Sequence, residues 1–182
     1  HEPARYENEA MVRDAQAVLD HAGVSQVDIV GYSMGAMIAA RLVPLERRTR
    51  KLVLAGVGGG VIPPRGGGAR SVLAEALTTD DPRSIRDPIA KNFRRFADAT
   101  RADRIALAAI ERSNALRTPV HFEAITVPTL VLAGDRDELI ESPQELADRL
   151  PNARLELVPG DHLAAVVQPQ FVRALLEFLA EG

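Results

Sequence analysis

The chain has 182 residues, enough for one domain with its own hydrophobic core. Apolar residues make up 46% and charged residues 26%, the balance of an ordinary globular protein. A net charge of −3 gives no general attraction to nucleic acid or to an anionic membrane, and the absence of cysteine excludes disulfides, thiolate catalysis and cysteine-bound zinc. No apolar run approaches the roughly 18 residues that a membrane span needs. No signal-peptide pattern stands near His1, so a cytoplasmic protein without membrane or nucleic-acid partners is expected.

In chain order, residues 6–22 predict an amphipathic helix, with Met11, Ala15, Val18, Leu19 and Ala22 on one face and Gly23 as its stop. "QVDIVG" (26–31) predicts a short strand. A helix follows from Met34 to Val43, apolar all round and therefore buried, and Pro44 ends it. "KLVLAG" (51–56) is a continuous apolar run, the pattern of a strand covered on both faces.

"VGGGVIPPRGGG" (57–68) cannot be regular structure, and its glycine runs suit a hinge. Helical patterns follow at 70–77, 82–98 and 101–113. Asp81-Pro82 and Asp87-Pro88 each place an N-cap before a proline, which predicts two helices in the middle stretch. Thr100 with Asp103 resembles a capping box, and Phe93, Phe96, Ile105 and Ile110 are expected to bury against the sheet mouth, where some could line an apolar acyl pocket. Strand–helix alternation then resumes: a strand at 129–134, a helix opened by the Ser142–Glu145 capping box, a strand at 154–159, and a last helix from Pro169 with Phe171, Val172, Leu175, Phe178 and Leu179 on one face. This order predicts an α/β fold with a parallel sheet and helices on both faces. The expected core is 1–60 with 128–182, and 61–127 is expected to form an inserted helical lid.

The chemistry is concentrated in three places. "VGYSMGA" puts Gly31-Tyr32-Ser33-Met34-Gly35 between a strand and a helix, the context of a nucleophile elbow. The turn must be tight there, and the two glycines are expected to let strand and helix approach. Ser33 would then project at the sheet's mouth, and the Met34 N–H, at a helix N-terminus, could donate to a developing oxyanion. A serine hydroxyl needs a base, and the base needs an orienting acid. "AGDRDELI" offers Asp135, Asp137 and Glu138 after a strand; Asp137 is preferred, with Asp135 bracing the loop through backbone N–H groups. Of the four histidines, only His162 in "VPGDHLAAV" follows a strand and precedes a helix in the way a base requires. No metal or organic cofactor is implied.

Together, "VDIVGYSMGAMIAARL", "VPTLVLAGDRDELI" and "VPGDHLAAVVQPQFVRALLEFL" resemble the α/β-hydrolase superfamily over essentially the whole chain, nearest to its bacterial esterase, enol-lactonase and cofactor-free haloperoxidase group. The resemblance implies Ser33 as nucleophile, Asp137 as acid, His162 as base and the Met34 N–H in the oxyanion hole. Serine at position 33 argues against the branches that carry an aspartate nucleophile. The implied activity is hydrolysis of small carboxylic esters or lactones through an acyl-enzyme. Two alternatives stand beside it: a non-catalytic hydrolase-like binding or assembly protein, and perhydrolase or haloperoxidase-type chemistry on the same triad.

The family has more sheet before this point, so the sequence reads as the C-terminal part of such a fold, N-terminally truncated. That leaves strand 26–31 with an unpaired edge, where an N-terminal piece or a second copy is expected to associate. In 61–127, eleven Lys and Arg stand against eight Asp and Glu. An arginine there could meet a substrate carboxylate, although a solvated helical surface is the simpler reading.

Overall fold

The structure, a computed structural model, describes residues 1–59, 67–113 and 119–181. Helix α1 (Asn8–Ala22) leads into strand β1 (Val27–Tyr32), helix α2 (Met34–Leu42) and strand β2 (Thr49–Ala55). Helices α3 (Gly67–Thr78), α4 (Pro88–Ala99) and α5 (Arg104–Arg112) come next. Strand β3 (Thr129–Gly134), helix α6 (Pro143–Arg149), strand β4 (Ala153–Val158) and helix α7 (Pro169–Ala180) complete the chain.

The four strands form one parallel sheet in the order β1-β2-β3-β4. Its two inner strands are the two uninterrupted apolar runs of the sequence, because each is covered on both faces. On one face, Ala36, Ala39 and Ala40 of α2 and Leu146 and Ala147 of α6 pack with Leu52, Leu54 and Val131. On the other, Phe171, Ala174 and Phe178 of α7 pack with Val53, Leu130 and Leu132. The expected α/β class with helices on both faces is therefore present. Strand β1 is an edge strand among the described residues, and its Val30 is 47% exposed.

Lys51, at the head of the β2 run, is buried. Its Nζ donates to the carbonyls of Phe178 (3.0 Å), Leu179 (2.9 Å) and Glu181, the end of α7. The last carbonyls of a helix carry the negative end of its dipole, so this one side chain meets several of them and ties α7 to β2.

The chain divides into two compact units, His1–Met11 with Pro64–Thr118, and Val12–Pro63 with Pro119–Gly182. These bounds move both ends of the expected lid, 61–127. Residues 119–127 go with the sheet because Val120, Phe122 and Ile125 are buried in its core. The first residues cluster with the inserted helices, where the Ser113 hydroxyl donates to the Tyr6 carbonyl (3.3 Å) and His1 meets Asp103 (3.0 Å). Within this helical unit Ala74, Leu77, Ala97 and Ala108 form a small core. Arg94 is buried beside it and donates to the carbonyls of Ala76 and Thr79 and to Asp98. That arginine closes the end of α3 and is structural.

Several local expectations are corrected. Asp81-Pro82 opens a single 3-10 turn (Pro82–Ser84), and only Asp87-Pro88 opens an α-helix. Asp103 caps α5 by itself, accepting from Ile105 and Ala106, whereas the Thr100 hydroxyl bonds back to the Phe96 carbonyl at the end of α4. Val18, Phe96, Ile105 and Val172 are exposed, and Val12 and Ala174 are buried instead of Val18 and Val172. Gly60 and residues 61–66 of the glycine-rich stretch lie outside the described residues. Gly58 and Gly59 are packed rather than free. A Cβ on Gly58 would run into the Glu141 carbonyl, one on Gly59 would come within 2.6 Å of Glu145, and the Gly59 N–H donates to the Ser142 carbonyl at 2.9 Å.

Candidate active site

In a parallel sheet every strand delivers its following loop to the same edge. Ser33 follows β1, Asp137 follows β3 and His162 follows β4. The three residues lie 104 and 25 positions apart in sequence, and the sheet brings them together.

The elbow is tight. Ser33 sits at φ 52°, ψ −115°, a left-handed conformation that a side chain rarely adopts. Its N–H donates to the Ala55 carbonyl (2.8 Å), and its own carbonyl accepts from Ala36 (3.0 Å) and Met37 (3.2 Å), so α2 begins directly after it. A Cβ at Gly31 would lie 2.5 Å from the Gly35 carbonyl oxygen and 2.6 Å from the Ala36 backbone. Gly31 is therefore needed for the close approach of strand and helix. Gly35 is not: a Cβ there would meet nothing within 4 Å, contrary to the expectation for both glycines.

The Ser33 hydroxyl makes no cap to its own helix. Its Oγ lies 2.9 Å from His162 Nε2, and His162 Nδ1 lies 2.7 Å from Asp137 Oδ2. The other Asp137 oxygen accepts the Leu139 N–H at 3.0 Å. Asp137 and His162 are both buried, while Ser33 is partly buried. The serine thus stands at the accessible end of a chain of hydrogen bonds that is otherwise closed to water. In this chain Nδ1–H donates to the carboxylate and Nε2 is left to accept from the hydroxyl. Met34 is the first residue of α2, and its N–H has no acceptor within its own helix.

The other candidates fall elsewhere. Asp135 is exposed and accepts from the Gly160 N–H (2.9 Å), which links the acid loop to the histidine loop. Glu138 is exposed. Asp161, beside the histidine, accepts from Leu163 and Ala164 N–H groups (3.0 and 2.8 Å); these bonds hold its carboxyl below the usual aspartate range. His1 pairs with Asp103, His121 with Glu123, and His21 is exposed. Reading the sequence did not assign the side chain of Tyr32, whose hydroxyl donates to the His162 carbonyl. Strand alternation was the available signal, since it sends residues 32 and 33 to different sides. Among the described residues, no group of three or more His, Asp or Glu is arranged to hold a metal ion, and no helix is long and apolar enough to cross a membrane.

Against known proteins, the model of the alpha/beta hydrolase family matches residues 1–175. A crystallised hydrolase from Pseudomonas aeruginosa is 26% identical, with a TM-score of 0.75 over 97% of this chain and 73% of its own. An esterase from Exiguobacterium antarcticum is 21% identical, TM-score 0.74, covering 97% and 75%. A bromoperoxidase from Bacillus anthracis is 24% identical, TM-score 0.66, covering 97% and 75%.

Proposed function

Because the chain belongs to the alpha/beta hydrolase family, we propose that it is a serine hydrolase that cleaves small carboxylic esters or lactones through an acyl-enzyme. The observation that carries this reading is the unbroken Ser33–His162–Asp137 relay, at 2.9 and 2.7 Å.

His162 Nε2 takes the Ser33 hydroxyl proton as Oγ attacks the ester carbonyl carbon. Asp137 holds the imidazole in the tautomer that leaves Nε2 as the acceptor and stabilises the imidazolium that forms. The negative charge on the former carbonyl oxygen meets the Met34 N–H at the N-terminus of α2, where the helix dipole favours it. Collapse expels the alkoxide, which receives the proton from Nε2. Water then repeats the sequence on the acyl-enzyme: Nε2 takes its proton, hydroxide adds to the acyl carbon, and the proton returns to Ser33 Oγ as the carboxylic acid leaves. Esterases among the similar structures support an ester as the substrate.

A fluorophosphonate probe tests this directly. One phosphonyl group is expected on Ser33 by peptide mapping, together with turnover of p-nitrophenyl acetate that Ser33→Ala abolishes. Equal turnover by Ser33→Ala would overturn the reading.

A further inference from the structure

The nucleophile and the base follow the two outer strands of the described sheet. Ser33 follows β1, His162 follows β4, and β2 and β3 lie between them. No ladder therefore pairs β1 with β4 directly, and their ends are related only through β2 and β3. The His162 loop is anchored on its β3 side by the Gly160–Asp135 bond and internally by Asp161. Toward β1 it meets the Ser33 hydroxyl and Tyr32.

Tyr32 precedes the nucleophile on the same strand. Its ring lies edge-on to Phe171 (centroids 5.9 Å apart) and tilted against the His162 imidazole (5.5 Å). Its hydroxyl donates to the main-chain carbonyl of His162. The loop after β2 backs this arrangement: a Cβ on Gly56 would come within 2.9 Å of Tyr32 Cζ and 3.3 Å of His162 Cε1. Burial, with the nearby charges of Asp137 and Asp161, pushes the phenol up to about 12, so it keeps its proton wherever an imidazole serves as base.

We propose that Tyr32 is a positioning residue for His162, holding the base to the nucleophile's own strand. This rests on the triad reading above and adds to it a part that the Ser33–His162 bond cannot play. That bond is lost once Oγ is acylated, whereas the Tyr32 bond goes to the backbone and persists. It keeps Nε2 in place to deliver its proton to the leaving group and then to activate water.

The test is Tyr32→Phe in the 182-residue chain, which keeps the ring and its contacts and removes only the donor. Two measurements are made, kcat and KM on p-nitrophenyl butyrate, and the 15N and 1H spectrum of the His162 imidazole. Thermal unfolding verifies the fold. The expected result is a kcat about tenfold lower at a KM within about twofold, since small displacements of a catalytic group cost rate rather than affinity. The His162 Nδ1 proton signal is expected to broaden through faster exchange. An unchanged imidazole spectrum with kcat within twofold of the parent would overturn the proposal while leaving the triad reading intact. A chain that hydrolyses nothing, yet whose imidazole signals move in Tyr32→Phe, would sink the triad reading and leave the positioning role standing.

Discussion

Two serines occupy matching places in this fold, and only one is left chemically free. Ser33 and Ser142 each cap a helix that follows a strand of the same sheet, and each has a positive φ, 52° and 31°. The Ser142 hydroxyl accepts from the Glu145 N–H at 3.2 Å, the ordinary work of an N-cap serine. Its helix opens with Pro143, which has no N–H to satisfy. The Ser33 hydroxyl makes no such bond and faces His162 instead. The reason is the length of the connection. Ser142 stands at the end of an eight-residue loop, 135–142, whose backbone can bring the hydroxyl over the helix end. Ser33 is the entire connection between β1 and α2, and its strained backbone turns the side chain away from the helix it starts. Capping the helix and facing the imidazole compete for one oxygen, and the turn decides which occurs.

The largest effect should come from Ser33→Gly. It is expected to lower ester turnover by about 10⁴-fold or more, while unfolding shows a gain of roughly 1 kcal/mol because glycine relieves the left-handed strain. Loss of stability in that variant would show that the elbow is not strained. Next is Gly31→Ala, whose Cβ meets backbone that cannot give way; a destabilisation of about 3 kcal/mol is expected in urea unfolding. A fully stable Gly31→Ala would mean that the elbow can open. Ser142→Ala should lose the cap alone, about 1 kcal/mol, with turnover unchanged. A fall in kcat there would erase the contrast between the two serines.

The smallest effect concerns pH. Bonds from Ala164 first and Leu163 second hold the Asp161 carboxyl below its ordinary value of 3.8. A depressed acid stabilises the fold above its unfolded value and loses that contribution as pH falls through the folded one. The thermal midpoint of the parent should therefore fall more below about pH 4 than that of Asp161→Asn, which can cap without a charge. Parallel curves would remove Asp161 from the acid response of the histidine loop.

How much was legible follows from how local each signal is. The Ser33 elbow could be read because strand, G-x-S-x-G and buried helix are contiguous. The preference for Asp137 over Asp135 rested on loop position, and the structure pairs Asp137 with His162 while Asp135 holds the Gly160 N–H. Tyr32 was visible only as part of the motif, because its partner is 130 positions away. Lys51 looked like the first residue of an apolar strand, and nothing near it in sequence announces three carbonyls at the end of α7. The exposed faces of Val18 and Val172 show the same limit: periodicity finds an apolar stripe, while coverage depends on what packs there.

By itself the sequence determined the element order, the parallel α/β class and the three residue types that one sheet edge would collect. Those properties follow from hydrophobic period, turn residues and the rule that parallel strands present their loops together. Only the tertiary structure decided the distances within the relay, the closing of the Tyr32 link between the loops of the two outer strands, and which glycine of the elbow is under steric pressure. These depend on contacts between segments far apart in the chain. No local pattern encodes such contacts, because they arise from the packing of elements that form independently of one another.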